Sequence, residues 1–348
     1  MRAAWMSGDG TISVREREPD APGRGEVQVR MRLAPINPSD FNFVNGTYRD
    51  ALAPLAWNRG KDEPRYAPEG DVCPAPPYAL GGEGVGVVES AGPGWWGARL
   101  VGKRVAVVAP PPRGTWQELA CVDAGRAIPV PAAMPDEQAA SFFVNPLTAL
   151  AMVRHVLRVP RGGWLLQTAA GSALSSMVRA LAKEDGFFVI AVVRSAAGAD
   201  RLRAGGVEAV IATDETPLSE GLQRYAPNGV GYALDCVGGP LGAEVLRCMR
   251  PAGHVLSYGT LSGEPVSFSP RDLIMPTLRY EGFYLPGWLA RQSMLTRLRL
   301  IRDAIRLINN GTFATPVQAT YTLDQLDEAL AAAQRTGRTG KILLRLAD

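Results

Sequence analysis

The sequence predicts an α/β protein of two domains, a barrel-like β domain and a doubly wound parallel sheet flanked by helices. Three observations predict this. The length, 348 residues, suits about two domains. The first third reads as short strands cut by glycine turns, and the middle alternates strand with helix. Hydrophobic residues make up 46% of the chain and charged residues 20%, which excludes a disordered polymer.

The β domain comes first. Val27 to Leu33 alternates apolar and polar residues, as a half-buried strand does, and Val85 to Glu89 and Arg104 to Val108 are two more strands. Arg49 to Ala79 has no period and is rich in Pro, Gly and charge; it is either a lid over a pocket or an excursion of the chain. The rhythm changes near Ile128. Pro135-Asp136-Glu137 reads as a helix start, with Asp136 able to cap. Strands follow at Trp164 to Gln167, Phe187 to Val193, Ala209 to Ala212, Gly231 to Asp235 and Gly253 to Tyr258, with a helix over Ser175 to Glu184. The continuous apolar run ending at Val193 is of the kind buried on both faces of a parallel sheet.

Towards the C-terminus, Leu295, Leu298, Ile301, Ile305 and Ile308 predict an amphipathic helix over 291–309, ended by Asn310-Gly311. Thr322-Leu323-Asp324-Gln325 has the form of a capping box opening a further helix, and Lys341 to Leu346 is a last strand. These elements are expected to return to the first domain. The expected division is 1–127 with 284–348, and 128–283.

Composition narrows the function. A net charge of +3 gives no reason to expect nucleic acid as a partner. No run of about 18 apolar residues is present, and Met1 to Asp9 lacks the apolar core of a signal peptide, so a cytoplasmic protein without membrane contact is expected. The four cysteines, Cys73, Cys121, Cys236 and Cys248, form no CxxC pair, and only His155 and His254 could add imidazole ligands. Catalytic zinc draws on such ligands, so no metal is expected.

A nucleotide site is indicated by what ends the strands of the second domain. Thr168 to Ser176 is a turn of small residues between strand and helix, though not G-x-G-x-x-G; Ala170, Gly171, Ser172, Ala173 and Leu174 would approach a pyrophosphate. Where an NAD enzyme usually carries an acid for the ribose 2′-hydroxyl, this chain has Arg194-Ser195, with Arg201 and Arg203 following. A guanidinium and a hydroxyl suit a 2′-phosphate, so NADPH is the expected cofactor. Cys236, Val237 and Gly238 end one strand, and Tyr258 and Gly259 end another, so both segments are expected to border the cofactor. Cys236 is either packing or a nucleophile, depending on what folding brings beside it.

An ordered series of motifs runs along almost the whole chain. It comprises Ala34-Pro35-Ile36-Asn37-Pro38-Ser39-Asp40, Asn45-Gly46-Thr47-Tyr48, Gly81-Gly82-Glu83-Gly84-Val85, Gly114-Thr115-Trp116, Asn145-Pro146-Leu147-Thr148-Ala149, Val237-Gly238-Gly239 and Gly282 to Trp288. In these the chain resembles the medium-chain dehydrogenase/reductase superfamily, and within it the 2-enoyl thioester (enoyl-CoA or acyl-carrier) reductases of the mitochondrial type, with quinone oxidoreductases as near relatives. Ser39 and Gly82 stand where the zinc members carry Cys and His, so the likeness is to the zinc-free branch.

The resemblance implies a GroES-like catalytic domain, a Rossmann NADP(H) domain, a substrate in the cleft between them, and a homodimer, for which 264–268 could add an edge strand. It implies Tyr48 as proton donor or enolate stabiliser. The rival for Tyr48 is a loop tyrosine packed on a strand. Thr148 is either a second hydroxyl beside the nicotinamide or a helix-start cap. Asn145, Phe283 and Leu285 are expected at the cofactor, and Asn37, Trp116 and Trp288 at the substrate. The asparagines could equally serve turns, and the tryptophans could fill core. Lys341 is expected at the surface or bridging the domains. The segment 49–79 is longer than the corresponding link in the family, and Ala173 and Ser175 replace glycines usual there.

The expected function is zinc-independent, NADPH-dependent reduction of a 2-enoyl thioester or related alkene. The rivals are an NADPH:quinone or enone oxidoreductase and a redox-inactive NADPH-binding protein.

Overall fold

The computed structural model describes residues 1–48 and 74–347. Cys73 and most of the long 49–79 segment lie outside them. The chain forms two compact units, Met1–Val144 with Ala314–Asp348, and Asn145–Phe313.

The first unit opens with β1 (Arg2–Met6), β2 (Ile12–Glu16), β3 (Glu26–Pro35), β4 (Tyr78–Ala79), β5 (Glu83–Ala91), β6 (Arg104–Val108), β7 (Leu119–Asp123) and β8 (Ala127–Pro129). The second unit supplies β9 (Trp164–Gln167), β10 (Phe188–Val193), β11 (Val210–Ala212), β12 (Val230–Asp235), β13 (Met249–Ser257) and β14 (Arg279–Gly282). The chain then returns to the first unit with β15 (Val317–Thr322) and β16 (Lys341–Arg345).

In the first unit one sheet runs β15-β16-β3-β5-β6-β8, with β7 also on β3, and a smaller one runs β2-β1-β4. Ten-residue β3 organises the larger sheet. Its first half pairs with β7, Glu26 opposite Asp123, and its last residues pair with β16, Pro35 opposite Leu343. Its alternation buries Val27, Val29, Met31 and Leu33 in the core. Gly86 of β5 faces this strand so closely that a Cβ there would meet the Arg30 carbonyl at 2.2 Å. Only glycine fits.

The unit boundaries differ from the expected 127/128 and 283/284. The helix Asp136–Ala140 packs on β3, β5 and β6, so 128–144 belongs with the first unit. Asp136 does not cap that helix; extended Pro135 holds the cap position, and the Asp136 carboxylate instead takes the guanidinium of Arg104 at 2.6 Å.

The second unit is a six-stranded sheet in the order β11-β10-β9-β12-β13-β14, parallel throughout. Numbered from β9 this is 3-2-1-4-5-6, the doubly wound order of dinucleotide-binding folds, whose switch point lies between the first and fourth strands. The expected α/β class is the observed one. Residues 264–268 form no strand; they are irregular chain, and Ser269 then caps the short helix Pro270–Ile274.

The expected amphipathic helix is Met294–Asn309, capped by Ser293. Its buried face is Leu300, Ala304, Leu307 and Ile308, whereas Leu295 and Leu298 are exposed. Apolar residues lie on two overlapping stripes of this helix, and packing chose the other one. Among the described residues no helix is long and apolar enough to cross a membrane.

Candidate active site

In the second unit the carboxyl ends of β9, β10, β12 and β13 carry the residues expected at a nucleotide. The turn after β9 is held by backbone bonds from Thr168 N to Leu234 O (3.0 Å) and from Ala170 N to Val192 O (3.0 Å). Ala169 has φ +47°, a left-handed conformation that glycine adopts without cost. Ala170 is buried, while Gly171 and Ser172 are exposed, with open space where a Gly171 Cβ would lie. Ser172 caps the helix Ala173–Asp185 by accepting from Ser175 N. The N–H groups of Ala173 and Leu174, in the first turn, have no intrahelical acceptor, as is general at a helix start.

Arg194 is exposed at the end of β10. Ser195 caps the helix Ala196–Ala204 by accepting from Gly198 N. Arg201 is exposed and unpaired among the described residues, while Arg203 pairs with Asp200 at 3.1 Å. Asp214 also stands on this rim and accepts from Ala196 N at 3.3 Å.

Behind the crevice lies a buried polar knot. The Thr168 hydroxyl donates to Asp235 Oδ1 at 2.7 Å and accepts from Cys236 N at 3.1 Å. Asp235 also accepts from the N–H groups of Val237 and Gly238. Burial pushes the Cys236 thiol up to about 11, so at neutral pH it packs rather than attacks. The Tyr258 phenol, against Cys236 and Ser175, is likewise pushed well above its ordinary value by burial. Gly259 approaches so closely that a Cβ would stand 2.9 Å from the Cys236 carbonyl. The helix start, exposed Arg194 and the switch-point order together fit a dinucleotide.

Asn145, half-buried, and Thr148, buried, lie on the helix Val144–Leu150; Thr148 is mid-helix and so is not a helix-start cap. Phe283 donates its N–H to Ser257 O at 2.8 Å, and Leu285 opens the helix Leu285–Ala290. Trp288 packs edge-on to His155 with centroids 5.5 Å apart and lies 6.3 Å from the Phe283 ring. The structure therefore groups Trp288 with the second unit, against the expected division.

In the first unit, Asn37 heads the helix Pro38–Val44 through a capping box with Asp40, and Tyr48 follows one turn beyond it. Tyr48 is half-buried, edge-on to Phe43 with centroids 5.2 Å apart. Asn37 is no pocket wall. It is 1% exposed, donates Nδ2 to Glu83 Oε1 at 2.9 Å, and accepts from the Lys341 ammonium. Glu83 Oε2 takes two further N–H groups, those of Phe143 and Val144, each at 2.9 Å. Lys341 is buried, not at the surface. Trp116 is wholly buried and donates to Pro35 O at 3.2 Å, so it is core.

Two acids and one ammonium thus share this interior. Burial, and then the charge of Glu83, push the Asp40 carboxyl up to about 7. Burial raises Glu83 too, opposed by Lys341 and its three N–H donors, while burial pulls Lys341 down. Below neutrality Asp40 therefore holds its proton, which leaves Glu83 as the acid that faces Lys341 through Asn37. This cluster is missing from the sequence reading. Its available signal was a charge at the head of a strand, directly before apolar residues, at Glu83 and at Lys341; a charge buried there demands a partner.

Among the described residues no three His, Cys, Asp or Glu side chains gather as metal ligands. The family model of the alcohol dehydrogenase GroES-like domain matches residues 23–132, and that of the zinc-binding dehydrogenases matches 173–302. The chain is 30% identical over 329 residues to the mitochondrial enoyl-(acyl-carrier-protein) reductase of Xenopus tropicalis, covering 90% of this chain and 85% of that one. The human protein of the same description is 28% identical over 348 residues, covering 96% and 85%. These relatives are described as mitochondrial, so the expected cytoplasmic location finds no support in them.

Among solved structures, a putative NADPH:quinone reductase from Bacillus thuringiensis is similar at 30% identity and TM-score 0.84, covering 99% of this chain and 98% of that one. The Escherichia coli quinone oxidoreductase complexed with NADPH shares the fold at 23% identity and TM-score 0.83, covering 99% and 100%. The chain belongs to the medium-chain dehydrogenase/reductase superfamily of NAD(P)H-dependent oxidoreductases.

Proposed function

We propose that this protein is an NADPH-dependent reductase of the C=C bond of 2-enoyl thioesters. The observation that carries the reading is its similarity, over 82–96% of its length, to eight enoyl-(acyl-carrier-protein) reductases. When bound, the nicotinamide would supply a hydride to C3 of the enoyl group. The chain's own residues supply the rest. The N–H groups of Ala173 and Leu174 hold the pyrophosphate, and Arg194 with Ser195 holds the 2′-phosphate. Asn145 and Thr148 orient the nicotinamide.

Negative charge develops on the thioester oxygen as C3 is reduced, and a donor aimed there lowers the barrier. A phenol is protonated at neutral pH and can serve both as that donor and as the source of the C2 proton. Tyr48 takes this part, and Asn37, tied to Glu83 and Lys341, fixes the helix that leads to it. Tyr48→Phe removes only the hydroxyl. Loss of one such donor is expected to lower kcat on crotonyl thioester about 100-fold or more. Wild-type turnover in the variant would transfer the role elsewhere.

A second reading, an NADPH:quinone or enone oxidoreductase, is favoured by the 30% identity to the Bacillus thuringiensis structure. Comparing kcat/KM on crotonyl pantetheine and on 1,4-benzoquinone separates the two. The enoyl reading expects the thioester to win.

A further inference from the structure

Arg179, in the second unit, is a largely buried cation that meets no acid among the described residues. Arg179 is the seventh residue of the helix Ala173–Asp185, and its side chain turns back along the helix to donate Nη1 to Ala170 O at 2.6 Å. It forms no ion pair among the described residues, and burial alone depresses its pKa, with no carboxylate acting on it. Two other arginines of this unit do meet acids: Arg154 grips Asp185 through two bonds of 2.7 and 2.8 Å, and Arg306 bonds Glu184 at 2.8 Å. Arg194 and Arg201 form no ion pair among the described residues but are exposed, so solvent can hydrate them. A guanidinium has five N–H donors, and largely removing it from water for one neutral carbonyl is costly.

Its position names the ligand. The Ala170 that holds Arg179 donates its own N–H to Val192 O, and its side chain packs with Val193 and Ala199. Arg179 is therefore anchored to the turn after β9, at the residue whose own N–H reaches Val192, two positions before Arg194. Asp214 stands on the same rim. A phosphate of charge near −2 placed beside that carboxylate calls for more than one cation.

We propose that Arg179 is a specificity residue which, with Arg194, neutralises the adenosine 2′-phosphate of the coenzyme. This rests on the NADPH reading above. The test is to titrate NADPH and NADH separately onto the whole protein by calorimetry, using wild type, Arg179→Gln, Arg179→Lys and Arg194→Gln. Arg179→Gln is expected to raise the NADPH Kd about tenfold or more, the loss of one charge-assisted bond, while the NADH Kd stays within about twofold. Arg179→Lys should recover part of the loss. The unchanged NADH Kd doubles as the control for folding.

An NADPH preference in Arg179→Gln as large as in wild type would overturn the inference and leave the NADPH reading standing. Equal weakening of both coenzymes would also overturn it, making Arg179 a structural prop of the turn. Equal wild-type affinity for the two coenzymes would overturn the NADPH reading and the inference together.

Discussion

Replacing Asp40 by Asn probes the buried cluster of the first unit. The folded carboxyl titrates near 7, against an ordinary value of 3.8. Between these values the folded state keeps a proton that the unfolded chain has released, so stability falls as pH rises from about 4 towards 7 and levels off above. By linkage the loss between pH 5 and pH 8 is about 2–3 kcal/mol. Asn cannot ionise. Its Oδ1 can still accept the Asn37 N–H, now made at 2.7 Å, and any misfit of its amide is an offset independent of pH. The stability of Asp40→Asn relative to wild type should therefore rise by about 2–3 kcal/mol from pH 5 to pH 8. Urea unfolding followed by tryptophan fluorescence reads this, since Trp116 lies in the same core. Parallel stability profiles for the two proteins would refute the charge assignment.

Two other substitutions test the scaffold around the sites. Arg104→Ala removes bonds to Asp136 (2.6 Å), Pro131 O (2.5 Å) and Met134 O (2.6 Å). It should cost about 2–3 kcal/mol in urea unfolding; a loss below about 0.5 kcal/mol would show these bonds to be replaced by water. Thr168→Val leaves the buried Cys236 N–H without its acceptor and takes one donor from Asp235. It should lower stability by about 2–3 kcal/mol and weaken coenzyme binding; unchanged melting would refute the role given to this knot.

Local pattern carried most of the fold. β6 and β9 fall at their expected residues because alternation and apolar runs are properties of the strand itself. The capping box at Thr322 is present, with Gln325 in its place, because both partners lie three residues apart. What failed were choices made by distant partners. Asp136 is drawn from capping by Arg104, 32 residues away. Lys341 is buried because Asn37, 304 residues away, meets it. The helix Met294–Asn309 offers two apolar stripes, and only its surroundings select Leu300, Ala304 and Leu307. The exposed place of Arg194 at the end of β10 was legible from the apolar run before it. The setting of Arg179 was not, since only the fold shows that it meets no acid among the described residues.

The most direct test of the proposed chemistry follows one isotope. Crotonyl pantetheine is reduced with NADPH stereospecifically deuterated at C4 of the nicotinamide, using both epimers in ordinary water, and the butyryl product is read by NMR. The account predicts that one epimer delivers its deuterium to C3 alone, with a solvent-derived proton at C2. Oxidation of NADPH without saturated thioester, or deuterium at C2, would contradict it.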